Sequence, residues 1–125
     1  AMVDDPAGYA ANFARRVFFR EQVCEDVLLW LTTEIRKTPP WIATAIYSDY
    51  LTRDYTDVLP TIKLPTIVVG ANSPIAEQGL AQCRYLAGLV PDSQFVGFED
   101  AGHILFYEQP EKFNAALASF VLSIA

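Results

Sequence analysis

A single histidine, His103, stands directly after Gly102 near the end of this 125-residue chain. Imidazole titrates close to neutral pH and can therefore pass a proton to and from a hydroxyl nucleophile. Its place on a loop, a few residues after a strand-like apolar run, suits that role. A lone histidine without such a context is more often structural or solvent-exposed, but here the context favours a role in proton transfer.

The elements around this histidine predict part of a parallel sheet. Residues 65–70 form a short apolar run that is rich in β-branched side chains and bounded by proline and glycine. Such a run is typical of a strand buried on both faces. A helix over 75–89, a strand over 94–98 and a last helix beginning at Pro110 follow it. This β-α-β-loop-α order is the repeating unit of a doubly wound α/β sheet.

Two loops follow the carboxyl ends of these strands, residues 70–78 and 99–103. Open α/β sheets bind ligands at this edge, so we expect both loops to belong to the functional site. Two strands with apolar faces and open edges also need further strands beside them. The pattern therefore predicts that the sheet is completed by the remainder of a longer protein or by a second copy of this chain, or that the two strands adopt a non-standard arrangement.

The first half of the chain predicts helices. Apolar residues recur at helical spacing before residue 19, over 21–36, and again after Pro39 and Pro40, where Thr38 is a candidate cap. We expect a helical subdomain over residues 1–62 and a β-α-β-α portion over 63–125. The expected apolar stripe of the third helix consists of Ile42, Ala45, Ile46 and Tyr50.

Composition narrows the class of protein. Hydrophobic residues make up 52% of the chain and aromatic residues 13%, enough to form a core. The net charge is −6 and the nine Lys and Arg are scattered, which disfavours a nucleic-acid partner. No apolar run approaches the roughly 20 residues of a membrane span. Cys24 and Cys83 lack metal-ligand spacing, so we expect thiols in a cytoplasmic protein with no metal and no cofactor.

From about Asp54 to the C-terminus, the chain resembles the α/β-hydrolase family. The resemblance is carried by stretches similar to the family's seventh strand, last strand, histidine loop and final helix, which are residues 63–70, 91–98, 101–103 and 108–114 with Phe120. Residues 1–53 resemble the family's variable cap, less specifically. The resemblance implies a partial α/β-hydrolase fold, a helical cap followed by the β-α-β-α end of a parallel sheet. It also implies that His103 is the general base of a catalytic triad.

The resemblance also implies where the partners of His103 lie. The family's nucleophile stands on a G-x-S-x-G elbow, which is absent here, so the nucleophilic serine is expected outside this chain. The acid normally follows the seventh strand's terminal glycine by three residues, and that position holds Ser73. Glu77 in the same loop is the first substitute, and an acid from outside the chain is equally open. Lower-ranked carboxylates before the strand and beside the histidine are Asp54, Asp57, Glu99 and Asp100.

The leading hypothesis is the C-terminal part of a serine hydrolase that acts on small esters, lactones or amides. Because the triad acts as a unit, this chain alone is expected to be inactive. The alternatives are a perhydrolase or cofactor-free oxygenase on the same fold, or a non-catalytic, self-associating module. Candidate substrate-pocket residues are Ser73, Trp30, Trp41 and Tyr47, although aromatics at helical spacing more often belong to a core.

Overall fold

The computed structural model describes residues 6–20, 23–72 and 79–125. Its secondary structure is mostly helical, with two short strands in the second half of the chain. The elements in chain order are α1 (Pro6–Phe18), α2 (Glu25–Arg36), α3 (Pro40–Thr52), a single 3-10 turn (Leu59–Thr61), β1 (Ile67–Ala71), α4 (Gly79–Leu89), β2 (Gln94–Phe98), α5 (Leu105–Glu108) and α6 (Pro110–Ile124).

The first two helices pack against each other through a small apolar interface. Glu25 and Asp26 occupy the first turn of α2, where negative charge is favourable to the helix dipole. The side chains buried in this part of the fold are Ala14, Val17, Phe19, Leu28 and Thr32. Phe19 is buried although it lies beyond the last residue of α1. The segment that leaves this helix therefore also belongs to the packed interior.

Helix α3 differs from its prediction in two respects. Thr38 was expected to cap it, but the N-cap residue is Pro39 and no side chain forms a capping hydrogen bond. Proline at the cap and at the first helical position sets the backbone angle instead. The predicted stripe is also largely exposed, since only Ile42 is half-buried and no residue of α3 is buried. The face that was expected to pack therefore meets no apolar partner within the described part of the chain.

The two strands form a parallel pair, as predicted. Ile67 to Ala71 of β1 align in register with Gln94 to Phe98 of β2. Helix α4 connects the strands and packs on them. The approach is close at Gly70, where a Cβ would lie 2.6 Å from the Cβ of Cys83, so a larger residue would not fit there. The predicted α/β class, a helical portion followed by the end of a parallel sheet, is confirmed.

A compact core lies beneath the loop that carries the histidine. Phe98, Ala101 and Leu105 are buried, and partly buried side chains surround them: Val69, Ala71, Val96 and Phe113. Helix α6 begins at Pro110, as predicted, but two of its apolar side chains are open to solvent, with Leu117 44% and Val121 50% exposed. The core therefore supports the histidine loop, while the outer faces of the fold keep apolar surface uncovered.

No helix formed by the described residues is both long enough and apolar enough to cross a membrane.

Candidate active site

The loops that follow the two strands are joined at the carboxyl edge of the sheet. The backbone N–H of Asn72 donates to the carbonyl oxygen of Phe98 at 3.4 Å. The side-chain amide of Asn72 donates to the carbonyl oxygen of Glu99 at 3.1 Å. The loop after β1 therefore begins directly beside the loop that leads to His103, as the parallel arrangement predicts.

His103 presents an accessible imidazole on this edge. Its side chain is exposed, whereas the two preceding residues, Ala101 and Gly102, are buried. The imidazole lies beside the ring of Phe18, with ring centroids 5.6 Å apart and planes inclined at 42°. The backbone before the histidine is therefore held in the interior while the ring faces outward, which is the geometry that a proton-transfer group needs.

The segment that leaves α1 holds the histidine loop by direct main-chain contact. Ile104 donates its N–H to the carbonyl oxygen of Phe18 at 3.2 Å. A Cβ at Gly102 would lie 2.6 Å from that same oxygen and 2.8 Å from the backbone nitrogen of Arg20. Only glycine fits at this position, which explains the glycine that precedes the histidine.

A carboxylate completes this contact. Glu108 accepts the N–H of Arg20 at Oε1, at 2.9 Å, and the N–H of Gly102 at Oε2. The neighbouring Gln109 donates from Nε2 to the carbonyl oxygen of Asp100 at 3.0 Å. Sequence reasoning missed Glu108 as a functional residue. The available signal was an acidic residue between the histidine loop and the proline that begins α6.

No protein-family model and no curated protein matches this chain. Several solved structures match it. A thermophilic esterase from Thermogutta terrifontis is 28% identical with a TM-score of 0.72, over 97% of this chain and 45% of that one. A bromoperoxidase from Bacillus anthracis is 17% identical with a TM-score of 0.82, over 95% and 45%. An esterase from Exiguobacterium antarcticum is 22% identical with a TM-score of 0.73, over 95% and 44%.

These proteins are α/β-hydrolases, and the chain corresponds to their C-terminal part. The chain has a partial α/β-hydrolase fold. It spans less than half the length of each of the three proteins. The resemblance drawn from the strand, loop and helix motifs is therefore confirmed at the level of the fold.

The acid that an α/β-hydrolase triad requires is not among the described residues that contact His103. Within residues 6–20, 23–72 and 79–125, no carboxylate accepts a hydrogen bond from the imidazole. The two candidates from the sequence, Ser73 and Glu77, lie outside the described residues. The role of Glu77 as the acid therefore stays a prediction.

The other carboxylates considered for the acid lie before β1 or in the histidine loop itself. Asp54 is exposed and accepts the backbone N–H of Thr56 at 2.8 Å. Hydrogen bonds from the side chain and backbone of Thr56 hold the pKa of Asp54 below its ordinary value. Asp57 is exposed as well, and the side chains of Glu99 and Asp100 face solvent, as expected of a solvated loop.

The aromatic residues proposed for a substrate pocket lie on exposed helix surfaces. Trp30 is 59% exposed, Trp41 72% and Tyr47 63%. The ring of Tyr47 pairs with that of Tyr50, with centroids 6.1 Å apart. Neither a core role nor a contact with His103 is found for these three residues within the described part of the chain.

A cleft of about 290 Å³ adjoins the histidine loop. Its walls come from the segment between α1 and α2, from the histidine loop and from α5, and they include Phe19, Val23, Asp100, Tyr107 and Glu108. The volume lies at the lower end of the range for ligand sites. The polar groups of the cleft include those of Asp100, Glu108 and Gln109.

Proposed function

We propose that this chain is the cap and C-terminal portion of a serine hydrolase that acts on small esters, lactones or amides, with His103 as its general base. Residues 1–62 would form the cap and residues 63–125 the C-terminal part of the catalytic core. One observation carries the proposal. An exposed imidazole follows a buried loop at the carboxyl edge of parallel strands in a partial α/β-hydrolase fold.

The proposed chemistry needs a serine from outside this chain. In the assembled enzyme, His103 takes the proton of the serine hydroxyl as the serine oxygen attacks the substrate carbonyl carbon. The imidazolium then gives that proton to the leaving alcohol or amine, and an acyl-serine remains. His103 next takes a proton from water as the water oxygen attacks the acyl carbon. The imidazolium then gives this proton to the serine oxygen as the acyl–oxygen bond breaks, which frees the carboxylic acid and restores the serine hydroxyl.

A carboxylate is expected to orient His103 and to stabilise its imidazolium form. Glu77 is our candidate, because it follows Asn72 by five residues and Asn72 forms two hydrogen bonds to the segment that leads to His103. An acid from outside the chain is the alternative. Ser73 occupies the position at which the family carries its acid, and we assign it to the wall of the substrate pocket.

The exposed cap aromatics support an apolar substrate of modest size. Trp30, Trp41 and Tyr47 present large uncovered rings, and such surface is usually buried against a ligand or another protein part. In this proposal they line the pocket of the assembled hydrolase. The macromolecular partner is the remainder of the hydrolase chain, and the free thiols of Cys24 and Cys83 support a cytoplasmic location.

The decisive experiment compares the protein encoded by the full native reading frame with the 125-residue chain. We expect the full-length protein to hydrolyse p-nitrophenyl acetate and to react with a fluorophosphonate at one serine, and the 125-residue chain to do neither. His103→Ala in the full-length protein should lower kcat by roughly 10⁴-fold, because triad members act as a unit. Turnover by the 125-residue chain that disappears in His103→Ala would contradict the proposal.

A second candidate uses the same fold for perhydrolysis, in which hydrogen peroxide replaces water as the group that attacks the acyl-serine. It is favoured by the structural similarity to a bromoperoxidase and by serine at the acid position. Peroxide-dependent bromination without appreciable ester hydrolysis would support it. The absence of fluorophosphonate labelling would favour a cofactor-free oxygenase, which needs no acyl-serine.

A third candidate is a non-catalytic, self-associating module. It is favoured by the exposed aromatic surface of α2 and α3. Light scattering tests it directly, since a stable monomer at micromolar concentration would count against a module whose uncovered face is buried by a second copy.

A further inference from the structure

Glu108 connects two parts of the fold that meet at the histidine. Its Oε1 accepts the N–H of Arg20, at the end of the segment leaving α1, and its Oε2 accepts the N–H of Gly102, directly before His103. We propose that Glu108 is a positioning residue that sets the place of the His103 backbone. This inference rests on the proposed function, in which His103 is the general base.

The main chain on both sides of the histidine is held by hydrogen bonds. Before it, Gly102 donates to the Glu108 carboxylate, and after it, Ile104 donates to the carbonyl oxygen of Phe18 at 3.2 Å. Both acceptors belong to elements packed on the core, since Leu105 of α5 and Phe19 are buried. Between these two donors, the side chain of His103 is exposed.

Loss of the carboxylate would act on the two donors unequally. The backbone of Arg20 belongs to an exposed residue, so water can replace the lost acceptor there. Gly102 is buried against the backbone of Phe18 and Arg20, where a Cβ would already clash, and water has no such access. An unsatisfied buried N–H is costly, so the backbone next to His103 should shift to find another acceptor.

Glu108 acts through the backbone rather than as the triad acid. Each of its carboxylate oxygens accepts a hydrogen bond from a main-chain N–H. Among the hydrogen bonds between described residues, none joins Glu108 to the imidazole of His103. A shift of about 1 Å in a catalytic group can lower the rate by roughly 100-fold without changing how substrate binds. The expected signature of Glu108 is therefore a fall in kcat at a nearly constant KM.

The test uses the full-length protein and three variants: Glu108→Gln, Glu108→Asp and the control Glu111→Gln. Glu111 is an exposed carboxylate in the first turn of α6, three residues further along. With rates normalised to folded protein, we expect Glu108→Gln to lower kcat about 10- to 100-fold at nearly constant KM. Glu108→Asp keeps the charge on a shorter side chain and should recover part of the loss, while Glu111→Gln should leave kcat unchanged.

A second measurement needs no catalysis. In glycine-labelled protein, the amide proton of Gly102 should lie downfield, because it is donated to a charged acceptor. It should move upfield and exchange faster in Glu108→Gln, but not in Glu111→Gln. An unchanged Gly102 amide, or equal losses of kcat in the two glutamine variants, would overturn the inference. A wild-type protein without hydrolytic activity would instead overturn the proposed function, and the Gly102 amide would still decide whether Glu108 holds the loop.

Discussion

Gly102 lies against the carbonyl oxygen of Phe18 so closely that a Cβ on residue 102 would come within 2.6 Å of it. The neighbouring contacts, the backbone nitrogen of Arg20 and the carbonyl carbon of Phe19, would each lie at 2.8 Å. All three are backbone atoms, which cannot turn aside as the end of a flexible side chain can. Glycine is therefore required before the histidine, because this loop packs against the backbone at the end of α1, which is distant in sequence.

Gly102→Ala is expected to destabilise the fold. Relief of the contact requires the histidine loop or the end of α1 to move, and overpacking of this kind costs about 1–3 kcal/mol in the free energy of unfolding. Urea denaturation followed by circular dichroism measures it. Gly88→Ala is the matched control, because a Cβ at Gly88 meets nothing within 4 Å and the residue lies in α4. In the control, the free energy of unfolding should rise by about 0.4–1 kcal/mol. Equal stability of the two variants would refute the packing account.

Two glycines in the strands allow a comparison of rigid and flexible neighbours. A Cβ at Gly70 would meet the Cβ of Cys83 at 2.6 Å, whereas one at Gly97 would meet the Cδ2 of Leu80 at 2.9 Å. The Cys83 atom is attached directly to the backbone of α4, but the Leu80 methyl can change rotamer. Gly70→Ala should therefore lower the free energy of unfolding by about 1–3 kcal/mol, and Gly97→Ala by less than about 1 kcal/mol. The reverse order in thermal denaturation would show that α4 adjusts more easily than the side chain.

The exposure of the two tryptophans predicts how they respond to a quencher. Trp30 is 59% exposed and Trp41 72%, and the 125-residue chain contains no other tryptophan. Acrylamide should quench their fluorescence efficiently in the 125-residue chain at low concentration. If a second copy covers these rings, quenching should weaken as the chain concentration rises, and Trp41→Lys should remove that dependence. Weak quenching at every concentration would show that the rings are covered within one chain.

Local sequence signals were sufficient for the sheet and the last helix. The strand at 94–98 and the start of α6 at Pro110 agree with their predictions, because short apolar runs that follow a turn and helix-starting prolines act within a few residues. Strand β1 begins at Ile67, two residues after Pro65, which lacks the N–H that a ladder uses. The capping role of Thr38 was wrong, since the adjacent prolines already supply the start of α3.

The role of Glu108 could not be derived from local pattern. Its bond to Arg20 joins residues 88 positions apart, and no periodicity or turn signal relates two such positions. The same holds for the contact of Gly102 with the end of α1. The triad acid was equally beyond a local pattern, because Ser73 stands where a carboxylate was expected and a substitute depends on which groups the fold brings together.

The sequence by itself determined the class of fold and the order of its second-half elements, because both depend on residue type and short-range spacing. Only the tertiary structure decided that the end of α1 packs on the histidine loop, that Glu108 accepts hydrogen bonds from both, and that the aromatic side chains of α2 and α3 are exposed. Those outcomes depend on which residues, distant in sequence, come into contact. A hydrogen bond or a van der Waals contact forms only when folding brings the two groups within a few ångströms of each other.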